Sequence, residues 1–183
     1  MSLMPLGLLS FSAGGSNGGN ALTLISTVYP SSASVTFSSI PGTYKHLQVR
    51  IVNRTTSTFD GDGYWYINGD TTSSNYSYHV LRGNGSTVTS AGGANAGVIY
   101  GGLKMGNGST ANAYSVSIID ILDYANTNKN KTVRILSGRQ GSSDPSAVAM
   151  FSGGWFSTAA INSLAFTSDT WVNGSRFSLY GVS

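Results

Sequence analysis

Tyr44-Lys-His-Leu-Gln-Val-Arg-Ile-Val-Asn53 is the stretch that decides the fold class. In an extended chain Leu47, Val49 and Ile51 fall on one side and His46, Gln48 and Arg50 on the other, the period of a half-buried strand. The end of the chain repeats the pattern, with Phe177 and Leu179 turned inward and Arg176, Ser178 and Tyr180 outward. Working outward from 44–53, short runs of the same kind occupy 21–29, 33–38, 63–68, 75–82, 97–104, 113–122, 131–138, 146–152, 161–167 and 175–182. Turn residues separate them. Asn-Gly pairs stand at 68–69, 84–85, 107–108 and 173–174, and Asn-Gly tolerates the positive φ angles of tight hairpins. Asn68-Gly69 is expected to begin the connection between the runs at 63–68 and 75–82. One helical turn is expected at Ser157–Ile161 and no longer helix anywhere. The predicted fold is all-β, an antiparallel β-sandwich of jelly-roll type.

One run breaks the alternation. Val116, Ile118, Ile119, Ile121 and Leu122 change parity midway. Either a β-bulge or a strand buried on both faces accounts for it.

Composition agrees with strands and turns. The chain has 183 residues, of which Gly, Ser, Thr and Asn fill 85, and all seven acidic residues are Asp. Only 9% are charged, too few for the long Glu- and Lys-rich periods of a helical bundle. Apolar residues reach 40%, enough to build a core and to argue against disorder. There is no cysteine, which excludes disulfides, thiolate metal sites and a cysteine nucleophile. The net charge of +3 rests on few residues. Arg50, Arg54, Arg82, Arg134, Arg139 and Arg176 are scattered, as on solvated strand faces and in local ion pairs, so no nucleic-acid partner is expected. No run approaches the ~20 apolar residues of a membrane helix, and no membrane partner is expected.

Residues 1–20 differ from the rest. Leu3, Met4, Leu6, Leu8, Leu9 and Phe11 make an apolar lead, which Pro5 interrupts and which has no basic start, so it does not read as a signal peptide. Residues 13–20, Ala-Gly-Gly-Ser-Asn-Gly-Gly-Asn, read as a flexible linker. The lead is expected to attach the protein to a partner, and 21–183 to form the β domain.

The inventory for catalysis is thin. His46 and His79 are the two histidines, and Gly14-Gly-Ser16-Asn-Gly18 imitates a nucleophile motif inside the linker without the flanking strand and helix it requires. Asp60-Gly-Asp62-Gly offers calcium-type oxygens but lacks the rest of an EF-hand loop. Asp120 and Asp123 are expected to pair with Arg134 or Lys131. No enzyme activity, cofactor or metal is expected. The most suggestive cluster is aromatic: Tyr64, Trp65 and Tyr66, followed by Tyr76 and Tyr78. Such rings serve as core, as subunit contacts, or as platforms for the C–H faces of sugars.

Several phrases taken together carry a resemblance: Ser39-Ile-Pro-Gly-Thr-Tyr-Lys-His-Leu47, Asn68-Gly-Asp70, Ser74-Asn-Tyr-Ser-Tyr-His79, Ile118-Ile-Asp-Ile-Leu-Asp-Tyr-Ala-Asn-Thr-Asn-Lys129 and Gly174-Ser-Arg-Phe-Ser-Leu-Tyr-Gly181. Over about 21–183 the chain resembles small virion structural proteins of tailed bacteriophages. The resemblance implies a non-enzymatic component of the particle, either a head decoration or fibre or a tail-associated protein. Its partners would be other virion proteins of capsid or tail, together with copies of itself, as a homotrimer. The alternative is a carbohydrate-binding, receptor-recognition module of a phage fibre that takes a host-surface glycan.

Overall fold

The computed structural model describes residues 21–141 and 146–183. The apolar lead with Leu3, Met4, Leu6, Leu8, Leu9 and Phe11, and the linker after it, lie outside the described residues. The described residues form twelve strands: β1 (Leu22–Val28), β2 (Ser34–Phe37), β3 (His46–Asn53), β4 (Gly61–Ile67), β5 (Tyr76–Gly83), β6 (Val88–Ala94), β7 (Ile99–Lys104), β8 (Ser115–Leu122), β9 (Lys131–Arg139), β10 (Ala147–Trp155), β11 (Leu164–Thr167) and β12 (Arg176–Val182). They pair antiparallel in two sheets, a large one ordered β1-β12-β3-β8-β9-β10-β5-β6 and a small one ordered β2-β11-β4-β7.

Four pairs nest one inside the next and alternate between the sheets: β1 with β12, β2 with β11, β3 with β8, β4 with β7. That nesting is the jelly roll. Two hairpin-like insertions extend it. β5 and β6 interrupt the path from β4 to β7, β9 and β10 the path from β8 to β11, and all four join the large sheet beyond β8. β7 packs over β8, β9 and β10.

The core lies between the sheets. Leu47, Val49 and Ile51 of β3 point into it as the alternation requires, with Ile119 and Ile121, Val133 and Ile135, Phe151, Phe177 and Leu179 beside them. The small sheet answers with Phe37, Trp65, Ile67, Leu164 and Phe166, and Trp65 stacks on Phe166 at 5.4 Å between ring centroids. Asn68-Gly69 begins the β4–β5 connection as a tight turn with φ of 53° and 68°, closed by the Asp70 amide on the Ile67 carbonyl (2.9 Å), but it makes no hairpin, because β4 and β5 lie in different sheets.

Three expectations change. β6 is an additional strand, Val-Thr-Ser-Ala-Gly-Gly-Ala, which carries no apolar alternation and is held by pairing with β5, the Tyr78 ring lying against Gly93. The segment 157–161 is not helical; among the described residues the single 3₁₀ turn is Ser73–Asn75. And β8 is neither bulged nor covered twice. Its register with β3 and β9 is unbroken, its inner side holds Ser115, Ser117, Ile119 and Ile121, and Val116, Ile118 and Leu122 face outward uncovered.

Two buried cations close the opposite ends of the sandwich. Arg54, just past β3, is 5% exposed. Its Nη1 donates to the carbonyls of Thr110 (2.7 Å) and Ala113 (2.8 Å), its Nη2 to those of Asn107 (3.1 Å) and Ser109 (3.0 Å). These carbonyls belong to the loop that carries the chain from β7 in one sheet to β8 in the other. At the far end the Lys131 ammonium donates to the carbonyls of Asn126 (2.7 Å), Lys129 (2.9 Å) and Thr158 (3.2 Å). Burial, with the Lys129 charge behind it, lowers the Lys131 pKa. Arg54 and Arg139 were expected on solvated strand faces and in local ion pairs; Arg139 does pair with Asp60 (3.8 Å), but both arginines are buried, because loop carbonyls and Asp60 need donors there.

A lysine has three donors at a point, not a planar fork, and cannot span the four carbonyls around Arg54. Arg54→Lys is expected to cost about 2–4 kcal/mol, since hydrogen bonds from charged donors are lost and buried carbonyls are left unpaired. Denaturant and thermal unfolding measure it, and a midpoint equal to that of the unmodified protein would contradict the role assigned to Arg54.

Candidate functional site

The aromatic cluster divides by strand parity. On β4, Trp65 and Ile67 face the core while Tyr64 and Tyr66 lie on the outer side of the small sheet. On β5, Tyr76 lies beneath the small sheet with its hydroxyl donating to the carbonyl of Asp70 (2.9 Å). Burial comes first among the causes that push its pKa up to about 12. Trp65 and Tyr76 are both 0% exposed, so the structure removes them from any ligand or subunit contact.

Tyr78 has the same parity as Tyr76 but a different fate. β5 lies beyond β7 in the large sheet, and the small sheet ends at β7, so Tyr78 emerges at its rim. There its ring stacks on Tyr100 of β7 (4.4 Å between centroids, 24° between planes). Tyr100 in turn meets Tyr64 edge to face at 4.9 Å. A bulge shifts the β4–β7 register beside Tyr100, where Gly102 takes φ +88°. The three rings form a step from the outer side of the small sheet onto the overhanging large one. An ion pair between Asp62 of β4 and Arg82 of β5 ties the two sheets together next to it. Burial, the charge of Asp62 and the neighbouring Tyr78 raise the Tyr64 pKa, and burial leads the causes that raise that of Tyr100. These hydroxyls therefore stay protonated, as donors and acceptors, at neutral pH. Tyr100 escaped the sequence reading because its strand, Ile-Tyr-Gly-Gly-Leu-Lys, holds one ring followed by two glycines; the bulge beside it has its signal in Gly101-Gly102.

The carboxylates are committed elsewhere. Asp60 accepts from the Gly106 amide (2.5 Å) and the Ser109 hydroxyl (2.7 Å), and Asp62 is held by Arg82, so the Asp-Gly-Asp motif splits between two structural tasks. Asp120 pairs with Arg134 at 2.8 Å, as the sequence led one to expect. Asp123 instead binds Lys129 and lies 3.5 Å from His46 Nδ1, Lys131 being occupied by carbonyls. Asp169 binds Lys104 at 2.9 Å. His46 and His79 sit on strands four spacings apart in the large sheet, about 19 Å. Among the described residues no three His or Asp side chains gather into a metal-binding group.

Compared with known proteins, the chain matches no family model, no curated protein and no solved structure.

Asp70, in the β4–β5 connection, anchors this region. It accepts from Trp155 Nε1 (2.8 Å), Asn75 Nδ2 (2.8 Å) and the Thr72 amide (2.9 Å). Burial alone would raise its pKa, but these donors outweigh it and bring it to about 2. A carboxyl more acidic when folded than when unfolded adds stability above its unfolded pKa of ~3.9, and that stability drains away as pH falls toward the folded value. Asp70→Asn is expected to lower stability at pH 7 by about 1–3 kcal/mol and to flatten its decline between pH 4 and 2. Urea titrations at a series of pH values check this; parallel declines for both proteins would contradict it.

Proposed function

We propose that the protein is a non-enzymatic structural component of a tailed-bacteriophage virion, attached through residues 1–12 and displaying the jelly roll at the particle surface. The observation that carries this reading is the position of β1. Among the described residues it is the outermost strand of the large sheet, paired only with β12, and Ala21 before it is exposed. An anchor joined to the chain ahead of Ala21 would therefore attach at the margin of the sheet rather than at its core, which suits an apolar anchor on a Gly-rich tether. The buried-cation closures at both ends and the hydroxyl-rich outer strands fit a domain that holds its shape unaided. Virion proteins of capsid or tail are then its partners, and copies of itself, as a homotrimer, its neighbours.

A second reading has its own observation. The Tyr64–Tyr100–Tyr78 step places three packed rings beside Asp62 and Arg82 at an accessible rim, an arrangement suited to the C–H faces and hydroxyls of a host-surface glycan. Under that reading the chain is a carbohydrate-binding, receptor-recognition module of a fibre.

Phage carrying a gene for the protein without residues 1–19 are expected to yield particles that lack it, while the truncated protein keeps its β-type circular dichroism; normal incorporation would move attachment onto the sandwich. Glycan-array binding that is abolished by Tyr78→Ala together with Tyr100→Ala, and retained by Tyr29→Ala, would establish the second reading, and a blank array with intact particles would leave the structural one.

A further inference from the structure

The large sheet has an outer face of two unlike halves. Because the register is continuous from β6 to β12, residues on this face line up in rows across the strands. One row runs Ser90, Leu81, Met150, Leu136, Ile118 and Arg50. The next runs Val88, Gly83, Val148, Gly138, Val116 and Val52. Seven of these, Leu81, Val88, Val116, Ile118, Leu136, Val148 and Met150, are large apolar side chains between 41% and 72% exposed. Toward β3 and β12 the same face turns polar, with His46, Gln48, Arg50, Arg176 and Tyr180.

The apolar half coincides with the strands added to the jelly roll, β5, β6, β9 and β10, together with β8, to which they attach. It is also the origin of the parity change in β8: that strand is apolar on both sides, as a strand covered on both sides would be, and the described residues cover only one. Scattered apolar side chains on a surface need no explanation, but a contiguous patch of this kind marks an interface.

We infer that this half-face packs against a second copy of the same chain. Area favours that occupant. Five strands at about 4.8 Å and eight residues at about 3.3 Å give the whole half-face roughly 24 by 26 Å, on the order of 600 Å² in plan, of which the two apolar rows fill about half and the rows through Ser152 and Gly154 the rest; the whole approaches the ~800 Å² per partner of a stable protein interface. An extended segment as short as residues 1–12 covers a strip only about 10 Å wide, the spacing of packed sheets, and leaves most of the face in water. Charge favours it as well. The two apolar rows hold no charged residue before Arg50, and the bordering row is neutralised within itself, Arg134 on Asp120 (2.8 Å) and Asp120 on Gln48 (2.9 Å). Identical faces can meet without bringing unpaired like charges together. A groove of about 290 Å³ over Gly138, between Val116, Leu136 and Val148, leaves room on this face for an apolar side chain of the other copy. The inference concerns the purified chain and stands or falls separately from the virion reading.

Sedimentation velocity on the full-length protein tests it. The expected result is a mass of two or three chains at 1–50 micromolar, with self-association weakened about 30-fold or more by Met150→Lys or Leu136→Lys, as for loss of an interface hot spot. Thr36→Lys, on the outer side of the small sheet, is expected to leave it unchanged. All three side chains point to solvent in the single chain, and unchanged circular dichroism and melting verify that the variants fold. Since the chain has no cysteine, a single Met150→Cys or Leu136→Cys gives an unambiguous cross-link between copies under mild oxidation. A monomer throughout that range overturns the inference. So does an oligomer indifferent to both lysine variants, and so does a monomer in which cross-linking places residues 3–11 over Leu136.

Discussion

The crossing from β7 to β8 depends on one guanidinium. To pass from the small sheet to the large one the chain must turn through residues 105–114, and four carbonyls of that turn, those of Asn107, Ser109, Thr110 and Ala113, converge on one side chain. Arg54 meets four of them at 2.7–3.1 Å, and its own backbone is fixed by Ser175, whose hydroxyl accepts from the Arg54 amide (3.2 Å) and donates to the Arg54 carbonyl (3.1 Å). The end of β3, the β7–β8 loop and the residue before β12 therefore meet at one buried residue, the loop at its side chain and Ser175 at its backbone. A buried charge is costly when alone, and breaking such a set costs more than the set contributes. Lys131 repeats the arrangement at the other end with different loops. With so few charges in the chain, these two are spent on closing the sandwich.

The legible part of the fold was the part governed by local parity and turn chemistry. Leu47, Val49 and Ile51 pointed inward as their spacing required, and Asn68-Gly69 made the turn its backbone freedom allows. What was not legible depends on distant strands. β6 has no pattern of its own, because pairing with β5 and the Tyr78 ring supplies what Gly92 and Gly93 lack. Arg54 and Arg139 look like ordinary surface arginines until the loops that need their donors are in place.

The aromatic site shows the same division. Parity alone separates Trp65 from Tyr64 and Tyr66, and the sequence foresaw that some rings would be core. Tyr76 and Tyr78 share a parity, yet one is sealed and the other stands at a rim, because the small sheet stops at β7. That boundary is a property of the whole topology. Tyr100 joins the step through a glycine bulge in β7, the strand paired with β4, which no local pattern around Tyr64 announces.

Both margins of the large sheet are awkward templates for another strand. β1 carries a register shift between Leu24 and Ser26, which distorts its pairing with β12, and β6 ends in the Gly92-Gly93 stretch that offers little side-chain surface. Irregular, weakly patterned edges discourage edge-to-edge addition. A chain crowded at high local concentration is thus steered away from open-ended polymerisation, even though its strands are numerous, its charge is low and mutual repulsion between molecules is weak.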